Sequence, residues 1–462
     1  MTFGGVERRG AGAGWRLAKW LAVFVALVAI AAKFLGPRAF VSYDLYQARR
    51  AVDACDLADA MNWLRAAETR APDHAEAHFI LGVVCRRMAA FLPARRHLER
   101  SLALGYPRRE VEQQDWMLRF QMGQVRDTEP LLQGMLDRGG SDELAEDVFE
   151  AMTLGYMNVH RTRDAYLCLQ HWEEWRPDSL RARLVGAYLY DAMQDTDRLQ
   201  AALREVLRIE PRRIAQRLRL AQTFLEAKRV DDALAECEIC RKQAPGDRRV
   251  SVTLGACYFQ LGRTDEAQRE LKLALTASLP LEPMFQLEAL TTLAQIASAN
   301  NDFESAKRYC QGVLERRPYD ATAVYGLGMA LSRLGEQESA QEYFDRSQRL
   351  LEQESRRVDI QHELVRNPDS VELRLEMARI LVDQERNAEA AAWMLSALEV
   401  DPTCREARQL LAEFYDQHGK PELAQAQRDA AAELEAIDAS DGGEAASVTG
   451  DPRPISSGPP GS

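Results

Sequence analysis

The sequence is short of positive charge. Its 59 lysines and arginines stand against 71 aspartates and glutamates, which leaves a net charge of −12 at pH 7. A nucleic-acid partner is therefore not expected, because phosphates need a basic surface. Segments in which strands alternate with helices are also lacking, so there is no scaffold for a hydrolase triad. The glycines between Gly10 and Gly14 follow no strand and are not a phosphate loop.

Long apolar runs are scarce as well, apart from one near the N-terminus. Residues 17–35 are 19 residues long, about 28 Å as a helix, which is enough to cross a bilayer. Basic residues are more frequent before this run than after it, which favours a cytoplasmic N-terminus. We therefore expect a Gly-rich leader over 1–16, a single-pass signal anchor over 17–35, and the rest outside the cytoplasm, on a bacterial inner membrane. Cleavage near Ala29-Ile30-Ala31, which would give a secreted or periplasmic protein, is the alternative.

Beyond residue 40 the sequence repeats with a period of 34 residues. Two registers carry this period: Pro177, Pro211 and Pro245, and also Ala165, Leu199, Ala233 and Ala267. Within one period, Leu254, Gly255 and Tyr258 have the spacing of one helix face, and Ala267 and Leu271 have that of a second. Such a unit predicts two helices that pack closely through small residues and end at a proline.

This pattern resembles the tetratricopeptide-repeat family. The family has a Leu-Gly pair followed twelve residues later by alanine, as in Leu81-Gly82 with Ala94 and in Leu327-Gly328 with Ala340. The resemblance implies an all-α fold, a right-handed superhelical solenoid of about eleven helix pairs over residues 41–437. It also implies a protein that is not an enzyme and needs no cofactor.

Four segments depart from the period. Residues 108–142 carry only part of the pattern and predict a degenerate unit. Five extra residues near Pro280 and Pro283 predict a longer loop. Residues 345–366 are charged, lack proline and glycine, and predict an extended or additional helix. Residues 438–462 are rich in glycine, serine and acidic residues, and we expect them to be disordered.

The cysteines and histidines are better explained as structural residues than as redox or metal-binding residues. Cys237 and Cys240 have the spacing of a redox pair, but they fall where Leu271 and Ala274 stand one period later, so we expect buried thiols. Cys168 and His171 lie three apart, and no second pair has ligand spacing. We therefore expect no catalytic site, metal, cofactor or small-molecule substrate.

The resemblance implies that the first helices line a concave groove that binds extended or helical segments of other proteins. The expected groove residues are Phe79, Arg86, Arg87, Tyr188, Leu218, Gln222, Val252, Phe259, Gln260, Tyr325, Met329, Arg333 and Arg379. Aromatic and arginine side chains recur among them and would hold a partner by stacking, apolar contact and arginine–carboxylate pairs. The hypothesis is a membrane-anchored scaffold or adaptor in cell-envelope assembly. The alternative is a regulatory or substrate-presenting subunit of an enzyme or secretion complex.

Overall fold

The computed structural model describes residues 40–276 and 281–446, with side chains up to residue 435. In these residues the regular secondary structure is entirely α-helical. No helix within the described ranges combines the length and the apolar character that a membrane crossing requires. The predicted leader and anchor, residues 1–16 and 17–35, lie outside the described residues.

The described part of the chain folds as 22 helices that follow one another in pairs. Their bounds are α1 (40–53), α2 (Leu57–Arg70), α3 (Ala75–Arg87), α4 (Phe91–Ala103), α5 (Arg108–Gln121), α6 (Val125–Asp137), α7 (Asp142–Asn158), α8 (Thr162–Trp175), α9 (Leu180–Ala192), α10 (Thr196–Ile209), α11 (Ile214–Glu226), α12 (Val230–Gln243), α13 (Arg248–Gln260), α14 (Thr264–Leu275), α15 (Pro283–Ala299), α16 (Phe303–Leu314), α17 (Ala321–Leu334), α18 (Gln337–Arg366), α19 (Val371–Asp383), α20 (Asn387–Val400), α21 (Arg405–Gln417) and α22 (Pro421–Ala446). The helical fold and the number of pairs agree with the sequence-based expectation. The chain divides into two compact units: unit 1 ends at Met152 and unit 2 begins at Thr153.

Glycine allows the two helices of a pair to touch. A Cβ added at Gly255 would lie 2.6 Å from Cγ of Leu271, and one added at Gly82 would lie 2.7 Å from Cδ2 of Leu98. Both leucines are almost fully buried. Any larger side chain at these positions would push the second helix away, which is why the Leu-Gly pair recurs.

An arginine ties each of several turns to the helix that follows. Arg183 donates to the carbonyl of Pro177 at 3.1 Å, and Arg217 donates to that of Pro211 at 3.0 Å. Arg374 and Arg408 make the same bond, six residues after their own prolines. The bond satisfies a carbonyl that the proline turn leaves without a helical partner.

The predicted degenerate unit is a complete helix pair, α5 and α6. Trp116 stands 34 residues after Gly82 and Thr128 stands 34 residues after Ala94, so the small residues of the usual contact are absent. Arg86 of α3 instead donates to Gln114 at 3.0 Å and to Gln121 at 3.1 Å, both on α5. Buried polar bonds therefore join this unit to the preceding one.

The predicted longer loop near Pro280 and Pro283 falls partly on residues 277–280, which lie outside the described residues. The other departures from the period change helix lengths. α15 has 17 residues against 13 in α13, and Pro283 is its first residue. α18 is a single helix of 30 residues that contains the whole segment 345–366. α22 runs to Ala446, past residue 438 where the predicted disorder begins, and residues 447–462 lie outside the described part.

Near the end of unit 2, helices α19 and α20 contact the turn between α7 and α8, where the unit begins. The hydroxyl of Ser396 in α20 donates to the carbonyl of Val159 at 2.6 Å and accepts from Arg374 of α19 at 2.5 Å. The His160 ring stacks on Trp393 with centroids 3.6 Å apart. Burial, reinforced by the charge of Arg374, lowers the pKa of His160 to about 3, so the stacked ring is neutral at physiological pH. We call this contact of the α7–α8 turn with α19 and α20 the closure.

Candidate functional site

The first helices of unit 2 share an inner face. Gln222 of α11 donates to Glu288 of α15 at 3.0 Å, although the pair α13–α14 lies between them in the chain. Side chains two pairs apart can meet in this way only on the concave side of a curved array. We call this side the groove: it is formed by α9, α11, α13, α15 and α17.

Charged and polar side chains line part of the groove. Arg219 of α11 contacts Asp191 of α9 with two hydrogen bonds, of 3.0 and 2.5 Å, and Glu226 with another of 3.0 Å. Burial raises the pKa of Glu288 to about 7, while the bond from Gln222 and the charge of Arg219 act in the opposite direction. The Glu288 carboxyl therefore exchanges its proton near neutral pH rather than near pH 4.5.

An apolar pocket of about 330 Å³ opens in the groove between α15 and α17. Ala294, Cys310 and Val313 form its buried part, and Tyr325 and Met329 stand beside it. Gly326 keeps it open, because a Cβ there would lie 3.0 Å from Sγ of Cys310. A pocket of this kind suits a single large apolar side chain.

Nine of the predicted groove residues have side chains that a partner could reach. Tyr188 is 60% exposed and Tyr325 is 53% exposed, while the others are half-buried or exposed. The others are Phe79, Gln222, Phe259, Gln260, Met329, Arg333 and Arg379. Those on α9, α11, α13 and α17 belong to the groove of unit 2. Phe79 stacks on Tyr106 in unit 1, with centroids 4.3 Å apart.

The other four predicted groove residues are buried, and those predictions are wrong. Leu218 and Val252 have no exposed surface and lie in the core. Arg86 bonds to α5, as described above, and Arg87 forms a buried ion pair with Glu150 at 2.9 Å. The family register places these positions on the first helix, but close neighbouring helices cover them.

The sequence analysis did not predict the charged part of the groove. Asp191, Arg219 and Glu288 lie on three different helices, and no spacing in the sequence connects them. Their proximity follows from the curvature of the array. A single unit of the repeat carries no signal of that curvature.

The cysteines of the possible redox pair are packing residues. Cys237 and Cys240 have no exposed surface. A hydrogen bond to Cys257 and burial raise the pKa of Cys237, and burial raises the pKa of Cys240 to about 11. The thiolate is the reactive form, so neither side chain is poised for redox chemistry at neutral pH.

Glu68, His78 and His97 of unit 1 bring three possible metal ligands together, a grouping that the sequence did not predict. The Nδ1 atoms of the two histidines are 3.0 Å apart, and the ring centroids are 5.3 Å apart. The nitrogens therefore lie between the rings and face each other. His78 donates from Nε2 to the carbonyl of Pro72 at 2.8 Å, so its Nδ1 accepts from His97. In this arrangement the two imidazole rings share a hydrogen bond through their Nδ1 atoms.

Comparison with known proteins identifies the repeats. A family model described as the tetratricopeptide repeat matches residues 218–283 and 291–355, which span α11 to α18. The matched residues carry tetratricopeptide repeats. A search of curated proteins gave no match.

Several solved structures are similar to parts of this repeat array. PilW, a type IV pilus biogenesis factor, is 20% identical; the match covers 44% of this chain and 91% of that one, with a TM-score of 0.37. Human IFIT1 is 15% identical over 79% of this chain and 91% of that one, with a TM-score of 0.39. YrrB, described as a TPR protein with an unusual peptide-binding site, is 15% identical over 45% of this chain and 95% of that one, with a TM-score of 0.27.

Proposed function

We propose that this protein is a scaffold that holds other proteins, and that the groove of unit 2 binds extended or helical segments of its partners. The groove around the apolar pocket supports this most. Tyr325 is half exposed beside a pocket that fits one apolar side chain, and Phe259 lies on the same inner face. Exposed aromatic groups beside an apolar pocket are typical of the anchor points in protein interfaces.

The groove test compares two double variants of the full chain. Phe259→Ala with Tyr325→Ala removes aromatic surface from the groove. Leu273→Ala with Leu351→Ala removes leucines that are 64% and 59% exposed on the second helices α14 and α18. We expect partners crosslinked in cells to be lost from the first variant and kept by the second. Equal crosslinking by both would place binding outside the groove.

We further propose that residues 17–35 anchor the protein in a bacterial inner membrane, with the repeats outside the cytoplasm, where they serve cell-envelope assembly. The charge bias around this segment supports the orientation. A reporter enzyme that is active only outside the cytoplasm, fused after residue 446, should be active. Protection of the repeats inside the cytoplasm would contradict the proposed location but leave the groove proposal intact.

A further inference from the structure

A second cavity lies beside the closure of unit 2. Its volume is about 490 Å³, and it is bordered by the α7–α8 turn, the end of α9, the last part of α18, and α19 and α20. Arg357, Gln361, His362 and Val365 come from the last part of α18. The second helices α12, α14 and α16 have 12 to 14 residues, so a helix of that length would end well before these positions. The cavity therefore depends on the extension of α18.

The cavity lining carries one positive charge that no described acidic residue balances, that of Arg163. Arg163 is exposed at its edge, and among the described residues no acidic group pairs with it. Arg357 pairs with Glu354 through Nη1, while its buried Nε has no hydrogen-bond partner within the described ranges. Glu389 is the acidic residue of the lining, and its two oxygens accept from Arg386 at 2.8 and 2.6 Å. The charge of Glu389 is thus already neutralised.

Arg163 differs from several other exposed arginines of unit 2. Arg229, for example, pairs with Asp232 on the same helix turn at 2.7 Å. The chain as a whole carries a net charge of −12. An arginine without an acidic partner on the protein is free to form a charge-assisted, bidentate pair with an incoming carboxylate.

Part of the cavity lining is apolar and exposed to solvent. Tyr188 is 60% exposed where it borders the cavity, and Val365 of α18 is also 60% exposed. Trp393 contributes to the lining while its ring is stacked on His160. A small inorganic anion would leave this apolar surface in water. A peptide segment would cover it with a side chain while one of its carboxylates reaches Arg163.

We propose that this cavity binds an extended acidic segment of a partner protein. A carboxylate of the segment pairs with Arg163, and an apolar side chain next to it packs between Tyr188 and Val365. The inference rests on the proposed scaffold function. It adds a site at the closure that is distinct from the pocket between α15 and α17.

The test selects binders for the full chain from a display library of random peptides. We expect peptides enriched in aspartate and glutamate with an apolar neighbour. Synthetic copies should bind about tenfold more weakly to Arg163→Glu and to Tyr188→Ala. Arg212→Glu is the matched control, because Arg212 is an exposed arginine on the α10–α11 turn, away from the cavity lining. It should bind like the wild type, as should Tyr325→Ala.

The outcomes separate this site from the groove. Acidic peptides that bind Arg163→Glu and the wild type equally would overturn the cavity proposal. Peptides that lose affinity with Tyr325→Ala but not with Arg163→Glu would also overturn it, and would support the groove. A selection that returns no binding peptide would count against both. Each variant is first checked for wild-type helicity, and Arg163→Gln serves as the milder replacement if Arg163→Glu fails to fold.

Discussion

At the scale of single residues, the contact between paired helices depends on the absence of a side chain. We expect Gly255→Ala to destabilise unit 2 by about 1–3 kcal/mol, because the new Cβ would overlap the buried Leu271. Gly312→Ala is the control on another helix of the same unit, since its Cβ would meet Leu290 at 3.4 Å, an ordinary contact distance. Chemical denaturation should show a loss for the first variant and little change or a gain for the second. Equal midpoints would mean that Gly255 is not a close contact.

Glu288 makes the stability of unit 2 depend on pH. Its pKa rises from 4.5 to about 7 in the folded chain, so between these values the folded state holds more protons than the unfolded state does. The stability contributed by this residue is therefore complete below 4.5 and is lost as the pH rises through 7. Glu288→Gln imitates the protonated form. We expect it to be more stable than the wild type at about pH 8 and similar to it at about pH 5.

The control for Glu288 is Glu352→Gln. Glu352 is exposed on α18 and also accepts a hydrogen bond from a glutamine, Gln348, at 3.0 Å. This variant should unfold like the wild type at both pH values, as measured by urea denaturation. A stabilisation by Glu288→Gln that is the same at both would show that the carboxyl does not titrate in this range.

At the scale of helices, the closure depends on one hydroxyl. Ser396 both donates and accepts a buried hydrogen bond, so Ser396→Ala leaves Arg374 and the carbonyl of Val159 short of a partner. We expect a loss of about 1–3 kcal/mol. Ser332→Ala is the matched control, because its hydroxyl bonds Gln337 at an exposed site in the same unit. If both variants cost the same in thermal unfolding, the closure does not contribute to stability.

The helices themselves were predictable, whereas their contacts across the array were not. The period of 34 residues and the Leu-Gly pairs predicted the paired helices because each pair is held by contacts within one period. The bond between Gln222 and Glu288 spans 66 residues, and that between Ser396 and Val159 spans 237. Such contacts depend on the rotation from one pair to the next, which accumulates over several pairs. The sequence of a single repeat does not reveal this accumulated rotation.

The exposure of the predicted groove residues could be foreseen only in part. The repeat register places Tyr188, Phe259 and Tyr325 on first helices, and their side chains are exposed or half-buried. Leu218 and Val252 follow the same register but are covered by neighbouring helices. The cavity at the closure escaped prediction, because α18 and the α7–α8 turn meet only through the return of unit 2 on itself.

At the scale of the whole molecule, the division into two units predicts that unfolding is not a single transition. Arg87→Met would remove the arginine of the buried Arg87–Glu150 ion pair in unit 1, at a cost of about 3–5 kcal/mol. We expect hydrogen exchange followed by mass spectrometry to show faster exchange in unit 1 alone. Arg109→Met, at an exposed position on α5, should leave both units unchanged. Faster exchange in both units would show that they unfold together.

The closure gives unit 2 a property that open repeat arrays lack. An open array can gain or lose a pair at little cost, since each pair contacts only its neighbours. In unit 2 the carbonyl of Val159 must lie within hydrogen-bond distance of Ser396. This requirement fixes the number of helix pairs between the two residues. Duplication or deletion of one pair would separate these two residues. Lineages that keep the closure should therefore vary in the loops and the termini but conserve the repeat number between α8 and α19.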